Sequence, residues 1–134
     1  MKCDVLLYTV GNGAIVTPGN NVPIGAVVRR KGCGISVIGD TLKISQRGFY
    51  EVTVSATMTA SVAGDVTVSA NYNGAPIVGA TATETFTTAD TENRSISFTA
   101  VIKSECPCDG GISFTVSGTP DVTFSNFAVE VVSV

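Results

Sequence analysis

Gly48 to Ala60 reads GFYEVTVSATMTA and is the longest strand-like run in the chain. Tyr50, Val52, Val54, Ala56 and Met58 alternate with Glu51, Thr53, Ser55, Thr57 and Thr59. A period of two places the first set on one face of a strand and the second set on the other. Gly48 opens the run, after the turn-compatible polar pair Gln46-Arg47. The pattern predicts a central strand with one apolar face that other strands must cover.

Working outward, the flanking segments read as those strands. Upstream, Ile35–Ile38 and Thr41–Ile44 bracket Gly39-Asp40. Glycine first in a two-residue loop predicts a type II′ hairpin. Downstream, Asp65 to Tyr72 places Val66, Val68, Ala70 and Tyr72 on one face, and Asn73-Gly74 follows as a strong hairpin signal. Ala75 to Phe86 is extended and Thr-rich, and Thr87 to Asn93 is a polar loop. Arg94 to Lys103 alternates Ile96, Phe98, Ala100 and Ile102 against Ser95, Ser97, Thr99 and Val101. Ile112 to Val116 and Val122 to Val134 complete the C-terminal half, while Val5 to Val10 reads as the first strand. Val22-Pro23-Ile24 suits only an edge or a strand start, because Pro23 has no donor. No window sustains a 3.6-residue apolar period. Short strands separated by recurring turn signals predict an all-β sandwich or barrel of about eight to ten strands.

At 134 residues the chain is one domain, residues 1–134, long enough to bury a proper core. Hydrophobic residues make up 44% and charged residues 14%, against about a quarter charged in an ordinary soluble domain. So much uncharged surface predicts oligomerisation. A net charge of −3 gives no electrostatic footprint for nucleic acid. No apolar run approaches the ~20 residues of a membrane helix. The opening MKCDVLLYTVGNG is interrupted by Asp4 and lacks the apolar centre of a signal peptide. It reads as a first strand, with residues 1–21 forming an arm that packs on a neighbouring subunit or particle. The expected location is then the cytoplasm, or outside after release by a route other than a signal peptide.

Few residues are equipped for chemistry. There is no histidine, which removes the usual general base and the commonest metal ligand. No serine lies in a G-x-S-x-G turn, and Gly11-Asn12-Gly13 is a turn without a phosphate loop. Glu51 and Glu130 form an acid pair only if their strands adjoin; otherwise they are solvated or paired with an arginine. Scattered loop carboxylates Asp90, Glu92, Asp109 and Asp121 could supply oxygen ligands to calcium, though without EF-hand spacing. Arg29-Arg30-Lys31 is the one charge cluster. It is either a solvated strand end or a contact to an acidic partner or a second subunit. The cysteines are Cys3, Cys33, Cys106 and Cys108. Without a signal peptide, reduced thiols are the default, with disulfides and a zinc site as the alternatives.

Three stretches, in order, carry a resemblance. GFYEVTVSATM resembles the G-x-Y strand of the tumour necrosis factor and complement globular-head superfamily. DVTVSANY followed by NYNGAPI resembles its N-G hairpin, and FSNFAVEVV its terminal strand. ISVIGDTLKIS and VIKSECPCDGGISFTV fit as well, and the second is similar to a loop in C-terminal domains of bacterial collagen-like exosporium proteins and Firmicutes phage proteins. The resemblance implies a ten-strand antiparallel jelly roll assembled as a homotrimer, with no catalysis and no cofactor. It implies that Tyr50, Val52 and Val54 are core, alongside Tyr72 and Phe98. Phe49, Glu51, Thr53 and Ser55 then line the trimer interface. Phe124 and Phe127 have opposite parity, so one is expected in the core and the other, Phe127, at the interface.

The function expected on this basis is a non-enzymatic module on a virion surface, a capsid decoration or head fibre of a phage. Its partners would be itself, a major capsid protein and a host surface glycan, with no membrane or nucleic acid. The chain reads as a small domain starting at Met1, and a virion protein needs no signal because lysis releases it. The alternative is an extracellular adhesin or spore- or cell-surface module of a Firmicute that binds carbohydrate or a protein receptor.

Overall fold

The computed structural model describes residues 4–89, 92–104 and 110–134. Cys3, Cys106, Cys108, Asp90 and Asp109 lie outside them. The described residues form eleven strands and no helix. These are β1 (Leu6–Gly11), β2 (Ala14–Val16), β3 (Ala26–Lys31), β4 (Ile35–Ile38), β5 (Thr41–Ile44) and β6 (Gly48–Ala60). They continue as β7 (Gly64–Tyr72), β8 (Ala75–Phe86), β9 (Arg94–Ser104), β10 (Gly110–Gly118) and β11 (Val122–Ser133). One more strand than the ten expected arises because β2 resumes after the Gly11–Gly13 break and pairs separately with β11.

Two antiparallel sheets pack face to face. One has the order β3-β1-β11-β6-β9, with β2 joined to β11. The other is β4-β5-β10-β7-β8. The β6 strand lies between β11 and β9, paired along nearly its whole length with both. Its apolar parity faces the second sheet: Tyr50, Val52, Val54, Ala56 and Met58 are buried. Ile96, Ala100 and Ile102 of β9 and Val66, Val68 and Ala70 of β7 are buried as well. Tyr72 and Phe98 pack against this core while partly exposed.

Both hairpins have the backbone that their residues favour. Gly39 has φ 63° while Asp40 keeps a negative φ, as a type II′ turn requires. Asn73 and Gly74 have φ 52° and 84°, the two positive values of a type I′ turn. Val22 and Ile24, flanking Pro23, lie outside any strand yet are fully buried. The Val22 N–H donates to the Phe114 carbonyl at 2.7 Å, so this segment is extended without a ladder.

Three expectations need correction. First, Phe127 is not an interface residue; it is 1% exposed. The β11–β6 register shifts between Phe124 and Asn126, so Ser125 is an extra residue that resets the alternation. Phe124 and Phe127 therefore both point inward, and their rings meet edge to face at 5.4 Å. Phe127 also meets Phe114 of the opposite sheet at 5.4 Å, so the three rings join the two layers. Second, the described part of the N-terminal segment is not a detached arm but a member of its own sheet. Strand β1 is interior to its own sheet, between β3 and β11, with Leu7 and Thr9 buried. Third, Cys33 is not a free thiol but disulfide-bonded.

Candidate interaction face

The antiparallel register builds the outer face of the six-stranded sheet row by row. Along β6, the parity opposite Tyr50 puts Phe49, Glu51, Thr53 and Ser55 outward, with Phe49 and Glu51 exposed. Directly across, Val132 of β11 and Val101 of β9 oppose Glu51, while Leu6 and Lys31 extend that row to the β3 edge. The next row runs Arg29, Tyr8, Glu130, Thr53, Thr99. The third runs Ala26, Val10, Ala128, Ser55, Ser97.

The face is mixed in character. Its centre holds hydroxyls and small side chains, with Thr53 and Thr99 hydroxyls 3.4 Å apart. A shallow hollow of about 260 Å³ is lined by Tyr8, Thr53, Ser55, Asn126, Ala128 and Glu130. At the β9 side stand Phe49, 49% exposed, and Val101, 58% exposed. The Lys103 ammonium lies 5.9 Å from the Phe49 ring centroid, within cation–π range. At the opposite edge, Val28 is exposed where the β3 register shifts, while Val27, also exposed, pairs with the inward-facing Thr9 and belongs to the other face.

Phe49, Glu51, Thr53 and Ser55 thus share one face, and Phe127 does not. Arg29 and Lys31 join that face, each paired in register with an outward residue of β1. Arg30 has the other parity, and its guanidinium donates to the Ile35 carbonyl at 2.7 Å. The basic trio is therefore split, and it lies within an edge strand. Glu51 and Glu130 sit on adjacent strands but are offset by one row, since Glu130 opposes Thr53. Sequence reasoning missed Tyr8, Val101 and Val132 as members of this face. Val101 carried a signal: an aliphatic residue at the polar parity of β9.

Among the loop carboxylates, Glu92 has a defined structural role. Its carboxylate accepts the Thr87 N–H at 2.7 Å and pairs with Arg94. The Thr87 backbone donor, helped by Arg94 and Thr88, holds its pKa below the ordinary carboxylate value. No three acidic or cysteine side chains converge on a metal-sized site among the described residues.

The outer face of the second sheet is rich in hydroxyls. Thr67 and Thr83 hydroxyls meet at 2.8 Å, Thr85 donates to Asp65 at 2.8 Å, and Asn71 donates to Thr115 at 3.1 Å.

No protein-family profile matches the chain, and no curated protein matches it in sequence. Solved structures match its shape. Eiger TNF from S. frugiperda aligns with a TM-score of 0.73 at 11% identity, over 99% of this chain and 94% of that one. The vertex protein P5 of PRD1 aligns at 0.66 and 11%, over 97% and 96%. Murine APRIL aligns at 0.66 and 14%, over 98% and 99%. The order of strands, the two-sheet sandwich and these alignments over nearly the full chain give one conclusion: the fold is the jelly roll of the TNF and complement globular-head type.

Proposed function

We propose that this protein is a non-enzymatic, trimeric module on the surface of a phage virion, a capsid decoration or head fibre. The observation that carries the assembly is the outer face of the six-stranded sheet. It combines exposed Phe49 and Val101 with a central cluster of hydroxyls and small side chains, the mixed apolar and polar character of an interface. The TNF-like resemblance implies threefold association through this face.

The shape shared with a phage vertex protein supports the virion role. The disulfide at Cys33 supports residence in an oxidising setting outside a cytoplasm. The absence of histidine, the usual general base, supports a binding or structural task.

Light scattering on the purified chain tests the assembly. A mass three times the protomer at micromolar concentration is expected, and a stable monomer would remove the reading. Gold-labelled antibody on purified particles of the parent phage tests the location, with label on intact capsids as the expected result. A second reading is favoured by the hydroxyl-rich face of the other sheet, where Thr67, Thr83 and Thr85 stand exposed to solvent or nearly so. That face suits a polar ligand such as a surface glycan, as an extracellular adhesin would need. Glycan-array binding lost in Thr83→Val would favour it.

A further inference from the structure

The outer face of the six-stranded sheet dips at its centre, and side-chain size explains why. On β11, Asn126, Ala128 and Glu130 have the outward parity, while Phe127 and Val129 are buried in the core. The middle one of the three is the smallest. Its register partners are Val10 of β1 and Ser55 of β6. In the next row Glu130 lies between Tyr8 and Thr53. Larger side chains thus surround a small one, which leaves the hollow of about 260 Å³ lined by Tyr8, Thr53, Ser55, Asn126, Ala128 and Glu130. From Asn126 to Glu130 the strand advances about 13 Å, and β1 and β6 lie about 10 Å apart across β11.

Five of these six lining residues are polar, with mixed hydrogen-bonding roles. The hydroxyls of Tyr8, Thr53 and Ser55 donate and accept, the Asn126 amide does both, and the Glu130 carboxylate accepts. The Thr53 hydroxyl has only its 3.4 Å contact with Thr99, and the other four polar side chains make no hydrogen bond to a described residue. Their capacity is open to a ligand.

The lining decides the class of ligand. One carboxylate in the hollow, with no converging group of three acidic side chains among the described residues, is not a metal cage. The same carboxylate sets a like charge against a phosphate, a sulfate or an acidic sugar. Ala128 and the Tyr8 ring are the only apolar surface, too little to hold an alkyl chain. A neutral ring bearing several hydroxyls satisfies what remains. Its C–H face rests on Ala128 and the Tyr8 ring, and its hydroxyls reach the carboxylate and the amide.

We propose that the hollow over Ala128 binds a neutral pyranose ring, with Glu130 and Asn126 holding its hydroxyls and Tyr8 its apolar face. The site stands whether or not copies associate, and it lies on the opposite sheet from Thr67 and Thr83. A neighbouring copy seated on this face would close the hollow, so assembled and dissociated protein are both titrated.

The probes are the methyl glycosides of glucose, galactose, mannose, rhamnose and N-acetylglucosamine. Each is added to the full chain up to about 50 mM and followed by amide NMR. At least one is expected to saturate with a millimolar dissociation constant, shifting the amides of Tyr8, Thr53, Ser55, Asn126 and Glu130 while those of Thr67 and Thr83 stay in place. Ala128→Leu fills the hollow and removes no polar group; it is expected to weaken binding at least about tenfold. Near-ultraviolet circular dichroism checks its fold, and Asn126→Ala/Glu130→Ala, with the same expected loss, decides in its place where it is not folded. Phe49→Asp/Val101→Asp supplies the dissociated protein, with its mass read by light scattering. Binding by that variant alone shows that a neighbouring copy closes the hollow, and it supports the site. Three results overturn the site: no glycoside shifting these amides in either protein, shifts centred on Thr67 and Thr83, or wild-type affinity in Ala128→Leu. Light scattering on the wild type decides the trimer separately, so the failure of one reading is distinct from the failure of the other.

Discussion

The Tyr50 hydroxyl donates to the Gln46 carbonyl at 3.0 Å from a side chain that is otherwise fully buried. Burial raises its pKa above the ordinary phenol value, and the nearby Tyr72 adds to the shift. A folded-state pKa above the unfolded one means the contribution is complete below the unfolded value of about 10 and fades as pH climbs through the folded value. Tyr50→Phe should thus lose about 1 kcal/mol at neutral pH from the missing hydrogen bond, yet show a flatter decline in alkaline urea melts than wild type. Glu92 titrates in the opposite sense. Its folded pKa is lowered, chiefly by the Thr87 N–H. Its contribution is present above the unfolded carboxylate value of about 4.3 and is lost as pH falls through the folded value. Thermal melts of Glu92→Gln should therefore trail wild type at neutral pH and converge with it in acid; a constant gap would contradict this.

At the scale of the element, Ser125 decides where the terminal strand points. It is the inserted residue of β11, and its hydroxyl donates to the Thr57 carbonyl at 3.2 Å. Were Ser125 an ordinary ladder residue instead of a bulge, strict alternation would send either Phe124 and Val122, or Phe127, Val129 and Val131, to the outer face. Deleting Ser125 removes the extra residue and leaves both sets inward on a regular ladder, so the variant should keep a cooperative thermal transition, whereas inserting one residue between Phe127 and Ala128 should abolish it. Ser125→Ala keeps the bulge and removes only one hydroxyl contact, so it should cost about 1 kcal/mol or less. A deletion variant without a cooperative transition, or an insertion variant with native ring dichroism, would contradict this account of the register. The edge strands tell a related story. Among the described residues both β3 and β9 are edge strands, and β3 carries three basic residues, a known device against uncontrolled edge pairing.

For the whole molecule, the disulfide at Cys33 tethers the short Gly32–Gly34 connection between the two sheets, since β3 belongs to one and β4 to the other. Cys33→Ser is expected to lower unfolding free energy by about 2–4 kcal/mol. Reductant should bring wild type down to the same value and leave the variant unchanged in chemical denaturation. Equal stability of wild type with and without reductant would show that the bond carries none of it. The sandwich itself should survive, because its core is continuous from Leu7 to Val131 without that bond.

Period and turn chemistry belonged to the sequence. The alternation of Gly48–Ala60, the Gly39-Asp40 and Asn73-Gly74 hairpins and the inward residues of β7 and β9 are local properties, fixed by side-chain parity and backbone torsion. Ordered motifs along the chain also pointed to the jelly roll. Tertiary structure decided what depends on long-range register. It placed Phe127 in the core, because a bulge is visible only against the strand opposite. It split Arg29-Arg30-Lys31 by parity and put two of them on the same face as Glu51 and Glu130, strands far apart in the chain. It made Gly48–Ala60 the member of the sheet that brings β11 and β9 alongside one another. Which residues share a face across five strands follows from hydrogen-bonded pairing over long separations, with Leu6 paired to Val132, and no local pattern encodes that.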